Sequence, residues 1–306
     1  MATAHQPVMR DEVIRLVDPR PGDFIVDSTA GGGGYSLAFA AKVGPQGLVL
    51  ALDYDRRAVD RLNKLHQEQG LENLLMAEAN FRYLEEAVKS HCPEFWGKAA
   101  GIVFDLGLSS DQLQDENLAM SFQSDGALNM NIANQGPNAY DLINFRTEKE
   151  LADIFFRFGE ERNSRRIARA IKEARQKKKI RTAAELARIV SFVQPPSRRL
   201  HPATRVFQAL RIAVNDELGN LSAALAPAVR CLRPGGVIAV VSYHSLEDRI
   251  VKIFFRQKSR ISDGPEPALR LLTKKPLVPA AAEIKNNPRA RSAKLRAAIR
   301  IINTHD

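Results

Sequence analysis

The feature that most constrains this chain is a run of four glycines set between a short apolar segment and an amphipathic one. Phe24–Asp27 reads as a strand, Asp27-Ser-Thr-Ala-Gly31-Gly-Gly33-Gly34-Tyr35-Ser36 follows, and Tyr35–Val43 reads as a helix. Glycine adopts backbone angles closed to other residues and lets a ligand come close to the main chain, so the run predicts a tight strand-to-helix turn that cradles a small molecule. The next strand, Leu48–Asp53, ends on an acid 20 residues beyond Gly33. A carboxylate there accepts hydrogen bonds from two ribose hydroxyls. A nicotinamide dinucleotide uses the same layout, but Asp27 beside the loop repels a pyrophosphate and suits a cationic amino-acid moiety. S-adenosylmethionine has an ammonium, a sulfonium and a ribose and lacks phosphate, so the residues favour it. A purely structural turn is the remaining reading.

Apolar runs and helical patterns continue to alternate. Arg56–Gln69 reads as a helix, and Leu74–Glu78 and Ile102–Leu106 read as strands, which predicts a parallel sheet covered by helices. The pattern breaks over 111–140, which is polar and lacks a period. Residues 148–190 look helical, and a long helix is expected from about Ala203 to Leu232. Arg233-Pro-Gly-Gly236 reads as a stop and turn before a further strand, Val237–Ser242. The expected organisation is a discontinuous α/β core of residues 1–110 and 213–306, interrupted by a mostly helical, basic insertion at 111–212. Internal repeats are absent.

Ligands of open α/β sheets bind beyond the carboxyl ends of the strands. Three segments fall there. Ala79-Asn80-Phe81 offers a ring to flank an adenine, although Phe81 also reads as a core residue. Phe104-Asp105-Leu-Gly-Leu-Ser-Ser110 places Asp105 for active-site work, against the plainer role of capping a turn. Ser242-Tyr243-His244-Ser-Leu-Glu-Asp-Arg249 crowds polar side chains at the same edge. Ser245 is the expected cap of the next helix, with Glu247 and Asp248 complementing its dipole. That account leaves His244 open between structural and functional roles. The spacing of His, Cys, Asp and Glu suggests no metal site, and a Ser–His nucleophile pair lacks an orienting partner.

Charge narrows the partner. The 306 residues carry 45 Lys and Arg against 35 acids, a net of +10, yet Arg162–Arg211 alone holds 15 bases and 2 acids, +13. The other residues therefore sum to −3, and the basic excess is local. Arg162, Arg165, Arg166, Arg169 and Lys172 recur at helical spacing opposite Ile167, Ile171 and Ala174. A second stretch, Lys285–Arg300, has six bases and no acid. Both read as footprints for a phosphate backbone, with a solvated charged face as the plain alternative. Two cysteines, Cys92 and Cys231, exclude a disulfide scaffold and fit a reducing compartment. The polar start, Met1–Glu12, reads as neither signal nor transit peptide, and no apolar run approaches membrane-spanning length. A soluble cytoplasmic protein is expected.

Together the motifs resemble the RsmH/MraW family, S-adenosylmethionine-dependent methyltransferases that modify N4 of a cytidine in the decoding region of small-subunit ribosomal RNA. The matching segments are His5-Gln-Pro-Val8, Asp27 to Gly34, Phe104 to Ser110 with Gln112-Leu113, Gly159-Glu-Glu161, Arg166-Ile-Ala-Arg-Ala-Ile171, His201-Pro-Ala-Thr-Arg205, Phe207-Gln-Ala-Leu-Arg211, Val214-Asn215 with Glu217-Leu218, His244 to Arg249, and Asn287-Pro-Arg-Ala-Arg-Ser292. The last five are the most specific. The resemblance implies a class I, Rossmann-like core with an inserted helical domain. Read together with the loop motif, it places cofactor contacts on Asp27, Gly31, Gly33, Gly34, Tyr35, Asp53, Phe81, Asp105 and Gln112. It makes Asp105 the leading catalytic acceptor, with His244 and Asp125 orienting the base. Arg166, Arg169, Arg205, Arg289 and Arg291 are assigned to the RNA of the small subunit. A homodimer stays open.

The chain departs from the family in three places. The family's Arg-Gly-Phe-Ser-Phe reads Leu118-Ala-Met-Ser121-Phe122 here and keeps only the last two residues. Tyr35 stands where a histidine is usual. The family's Asp-Gly-Pro-Leu-Asp-Met-Arg-Met-Asp reads Asp125-Gly-Ala-Leu-Asn129-Met-Asn131-Ile-Ala133 here, so two carboxylates and an arginine are gone from a segment expected to face the substrate. That loss is the support for an alternative reading, a catalytically degenerate relative that binds RNA or assists ribosome assembly. A DNA N4-cytosine enzyme calls for an Asp/Ser-Pro-Pro-aromatic motif where this chain has Asp105-Leu-Gly-Leu.

Overall fold

The computed structural model describes residues 7–122, 124, 126–133, 135–194, 201–260 and 268–301, with backbone only for Ser110 and Gln114. The chain divides into two compact units at 107/108 and 217/218. The first unit contains α1 (Arg10–Val17), β1 (Phe24–Asp27), α2 (Gly34–Val43), β2 (Leu48–Asp53), α3 (Arg56–Gln69), β3 (Leu74–Glu78), α4 (Leu84–His91) and β4 (Ala99–Asp105). The second contains α5 (Ser110–Gln114), α6 (Ala139–Phe145), α7 (Glu148–Gly159), α8 (Ser164–Lys177), α9 (Ala183–Val193) and α10 (Thr204–Asn215). The chain returns to the first unit through α11 (Glu217–Cys231) and continues as β5 (Leu232–Ser242), α12 (Ser245–Lys258), β6 (Leu269–Leu271), α13 (Ala281–Asn286) and β7 (Lys294–Arg300).

The strands form one sheet in the order β3-β2-β1-β4-β5-β7-β6. The neighbours from β3 to β5 pair in parallel, and β7 runs antiparallel to both β5 and β6. This is the α/β, Rossmann-like class that the alternation of apolar runs predicts. Both faces of the sheet are covered, so side chains alternate between two cores. Val26, Leu50, Leu52, Ile102, Phe104 and Val240 point to one. Ile25, Val49, Ala51, Val103, Ala239 and Val241 point to the other. Cys92 and Cys231 are free, buried thiols.

In the second unit, α8 buries Ile167, Ala168 and Ile171 and keeps Arg165, Arg166 and Arg169 exposed, as its amphipathic pattern requires. Capping boxes at Ser109, Asn138, Thr147 and Thr182 start four of the six helices among the described residues there.

Three expectations need correction. The long helix at 203–232 is two helices, broken by Asp216 in the left-handed conformation at φ 48°. The Arg211 guanidinium bridges the break, 2.7 Å from Glu217, and Asn215 accepts the Ile132 N–H and donates to the Met130 carbonyl. Neither Gly nor Pro marks the break, which moves the second division of the chain to 217/218. The Arg233–Gly236 turn lies inside β5 as a bulge, because the ladder passes from Ala99 opposite Leu232 to Gly101 opposite Val237. Finally, half of the basic C-terminal stretch is structural. Arg296 is buried and donates to both oxygens of Asp248, at 2.6 and 3.3 Å, and Lys294 lies 3.7 Å from the same carboxylate. Arg300 donates to the carbonyls of Arg230 and Leu232. Lys285, Arg289 and Arg291 remain exposed.

The Asp248–Arg296 pair ties α12 to β7 from within the core. Removing one member strands the other charge away from water. Asp248→Ala is expected to lower unfolding free energy by about 3–5 kcal/mol in urea denaturation. A change below about 1 kcal/mol gives the pair only surface strength.

Candidate active site

The glycine loop is held from below by acids. Asp27, at the end of β1, is fully buried; its Oδ2 accepts the Ser36 hydroxyl at 2.6 Å and its Oδ1 the Thr29 N–H at 3.2 Å. Burial pushes its carboxyl up to about 6, against the Ser36 hydrogen bond. Asp53, at the end of β2, accepts the Gly31 N–H on Oδ2 at 2.8 Å and the Asp55 N–H on Oδ1 at 2.9 Å, and burial raises its carboxyl as well. Gly31 and Gly33 take positive φ, 49° and 82°. A Cβ on Gly33 would lie 2.3 Å from the Leu62 side chain, so both the angle and the packing against α3 require glycine there.

Asp105 ends β4 beside this loop. Its N–H donates to the Thr29 hydroxyl at 2.7 Å, and its Oδ1 accepts the Tyr243 hydroxyl at 2.8 Å. Burial raises the Asp105 carboxyl to about 7; the bonds from Tyr243 and the Gly107 N–H oppose the rise, and the Asp27 and Glu247 carboxylates add to it. Burial, together with the Asp105 carboxylate, drives the Tyr243 hydroxyl well above its usual range, so it stays a donor. Gly107 is glycine for room: a Cβ would meet the Tyr243 ring at 2.7 Å.

His244, and not Ser245, caps α12. Its Nδ1 accepts the Glu247 N–H at 3.4 Å, while Glu247 Oε2 accepts the N–H groups of Tyr243 and His244 at 2.8 and 3.2 Å. The buried Nε2 lies 3.2 Å from Glu247 Oε1 but has no aligned hydrogen bond among the described residues. Phe81 sits half-buried past β3 with its ring edge-on to Phe104 at 5.7 Å, so it serves the core and lines the sheet edge together.

The structure thus gathers Asp27, Gly31, Gly33, Gly34, Asp53, Phe81, Asp105 and His244 at the carboxyl edge of one sheet. Tyr35 does not join them by its side chain. Its ring is buried, stacks on Phe39 and donates its hydroxyl to the Val8 carbonyl. Gln112 is buried in the second unit, where it closes the capping box with Ser109. Asp125 and His5 lie outside the described residues. Arg289 and Arg291 are exposed on the turn Pro288–Ser292. Arg166 is exposed, Arg169 lies 3.7 Å from Glu148, and Arg205 donates to the Glu160 carbonyl. Tyr243 is the residue that the sequence reading passed over.

Three carboxylates, Asp27, Asp53 and Asp105, therefore share the edge, and each is relieved by neutral N–H or O–H donors. Such a set fits a ligand with positive charge and ribose hydroxyls, as S-adenosylmethionine has, and opposes a pyrophosphate. The model of the MraW methylase family matches residues 2–301. The chain belongs to that family. A relative from Thermomicrobium roseum, named ribosomal RNA small subunit methyltransferase H, is 44% identical over 100% of this chain and 96% of its own length. One of the same name from Rhodospirillum centenum is 44% identical over 97% and 92%. The structure of an rRNA methylase from Streptococcus thermophilus superposes with a TM-score of 0.46 at 11% identity, over 98% of this chain and 100% of that one.

Against the MraW methylase pattern, the altered segment takes on a structural sense. Asn129 donates to the Asn117 carbonyl at 3.1 Å and accepts the Asn131 N–H at 3.3 Å. Asn131 is buried and donates to the carbonyls of Gln135, Gly136 and Pro137. Both side chains pin their own loop, while Ala133 is exposed.

Because Asp53 holds Gly31 in place, its loss opens the loop and removes an acceptor together. Asp53→Ala is expected to weaken S-adenosylmethionine binding at least about tenfold by calorimetry, the scale of one charged hydrogen bond. Unchanged affinity removes Asp53 from the cofactor site.

Proposed function

We propose that this protein methylates N4 of a cytidine in the decoding region of small-subunit ribosomal RNA, with S-adenosylmethionine as methyl donor. The family and the names of its relatives support the substrate class. The observation that carries the site is Asp105, a half-buried carboxyl raised to about 7 at the end of β4 and oriented by Tyr243.

The exocyclic amine of cytosine is a weak nucleophile because its lone pair is delocalised into the ring. When bound, S-adenosylmethionine supplies a methyl group on a positively charged sulfur. Gly31, Gly33, Gly34 and Asp53 hold that cofactor, and Phe81 flanks it. Asp27 acts beneath the loop by fixing Ser36 and Thr29. Asp105 accepts an N–H of the cytosine amine, which turns the nitrogen toward the methyl, and takes the proton that the amine sheds as the new N–C bond forms. With its carboxyl near 7, Asp105 both accepts that proton and releases it to water. Tyr243 keeps one carboxylate oxygen occupied, so the other faces the base. His244 presents Nε2 for base orientation. The target base leaves its stack to reach this edge. The 108–217 unit and the turn carrying Arg289 and Arg291 hold the RNA, with Arg166, Arg169 and Arg205 on the phosphate backbone.

Labelled S-adenosylmethionine offered with unmodified small ribosomal subunits, or with free ribosomal RNA as the comparison substrate, is expected to yield N4-methylcytidine on nucleoside analysis. Retained cofactor binding with no transfer to either supports the degenerate, RNA-binding alternative instead.

The acceptor role also fixes a pH profile. Only the carboxylate form accepts a proton, so kcat is expected to rise with pH through about 7 and level off above it. The Tyr243 bond favours the carboxylate. Tyr243→Phe is therefore expected to move the rise to higher pH, and Asp105→Asn to abolish transfer. A rise left in place by Tyr243→Phe removes the tyrosine from this role.

A further inference from the structure

The 108–217 unit carries an aromatic feature that the catalytic reading does not use. Phe122 and His201 stack face to face, with ring centroids 4.1 Å apart and planes 3° from parallel. Behind them the edge of Phe207, a buried residue of α10, meets Phe122 at 6.1 Å and 88°. Phe122 is thus fixed between a core ring and an imidazole, while His201 is exposed. The imidazole plane is itself fixed, because Nδ1 accepts the Ala203 N–H at 3.2 Å.

Hydrogen bonds keep the surroundings of the stack rigid. Gln194 donates to the Pro202 carbonyl at 2.7 Å and accepts from Asn163 at 3.0 Å. Buried Glu161 accepts the Asn163 N–H at 2.8 Å. These bonds join the start of α8, the end of α9 and the start of α10. Exposed Arg162 stands beside Asn163, and exposed Arg205 lies one turn beyond His201. The segments Gly159-Glu-Glu161 and His201-Pro-Ala-Thr-Arg205, remote in sequence, thereby meet. A rigid, exposed ring on segments that also carry exposed arginines is what single-stranded nucleic acid uses: bases stack on the ring and phosphates pair with the cations.

We propose that the Phe122–His201 stack is a nucleobase platform for an unpaired base of the substrate RNA, with Arg162 and Arg205 taking the adjoining phosphates. The proposal rests on the ribosomal RNA reading above and names where that RNA is gripped outside the methyl-transfer edge. Any planar ring serves at position 201, so the platform is distinguished from the backbone cap that Nδ1 also provides.

The test uses the full chain and unmodified small ribosomal subunits in filter binding, with calorimetry for S-adenosylmethionine as control. His201→Ala is expected to weaken subunit binding about 5- to 100-fold, the effect of one stacked base, and to leave cofactor affinity unchanged. His201→Phe keeps a ring but cannot accept the Ala203 N–H, and it is expected to bind subunits nearly as the unaltered protein does. Thermal unfolding of both variants checks that loss of the Nδ1 cap leaves the fold in place. Wild-type binding by His201→Ala overturns the platform, as does His201→Phe binding as weakly as His201→Ala. An unaltered protein that neither binds nor methylates subunits or free ribosomal RNA overturns the substrate reading, and the platform with it. Methylation by the unaltered protein together with full binding by His201→Ala overturns the platform alone.

Discussion

The first unit depends on keeping three carboxylates, two of them buried and Asp105 half-buried, at one edge of a sheet. A buried carboxylate without partners is pushed toward its neutral form, and Asp27 and Asp105 show that push. What holds them is a set of neutral donors: Ser36 and Thr29 for Asp27, Gly31 and Asp55 for Asp53, Tyr243 and Gly107 for Asp105. The same bonds shape the glycine loop, since Asp53 fixes Gly31 and Thr29 joins the loop to β4 through the Asp105 N–H. Loop conformation and negative potential are therefore one construction. The relief comes mostly from neutral groups, with the Arg61 charge adding to it at Asp53, so the edge keeps its appetite for a cation.

Position in the sheet decides which acid does what. Asp27 is walled in beneath the loop and can act only through it. Asp53 faces the loop from the neighbouring strand. Asp105 sits where β4 meets β5, and the residue that completes it, Tyr243, arrives 138 positions later in the chain. The chain leaves the sheet after β4 and returns through α11, so the whole 108–217 unit is inserted in the chain between two strands that pair side by side.

Much of this was legible in the sequence because it obeys local rules. Strands buried on both faces read as apolar runs, and acids at strand ends fall at the sheet edge whatever the distant contacts are. What the sequence hid depends on distance or on competition between neighbours. Tyr243 gains its meaning only from Asp105. Ser245 is the better capping residue by preference, yet His244 takes the position because the chain turns one residue earlier, at the end of β5. Asp216 breaks a helix without Gly or Pro, and the Arg211–Glu217 bridge spans the break. Charge counting overstated the C-terminal basic stretch: Lys294, Arg296 and Arg300 lie on β7, where a strand's alternation and its partners turn them inward or tie them to backbone carbonyls.

The substituted segment shows why residue type alone misleads about catalysis. Replacing carboxylates and an arginine with Asn129, Asn131 and Ala133 looks like the loss of reactive groups. In the fold, Asn129 donates to the Asn117 carbonyl, a bond that an ionised carboxylate cannot make, and Asn131 gives its amide to a cluster of loop carbonyls, as an arginine also could. Buried polar atoms demand partners, and here each amide atom engaged in a bond stabilises the turn that carries Met130 at φ 59° into the core. In the proposed reaction the proton acceptor is not drawn from this segment but from the sheet edge, where Asp105 accepts the Tyr243 hydroxyl.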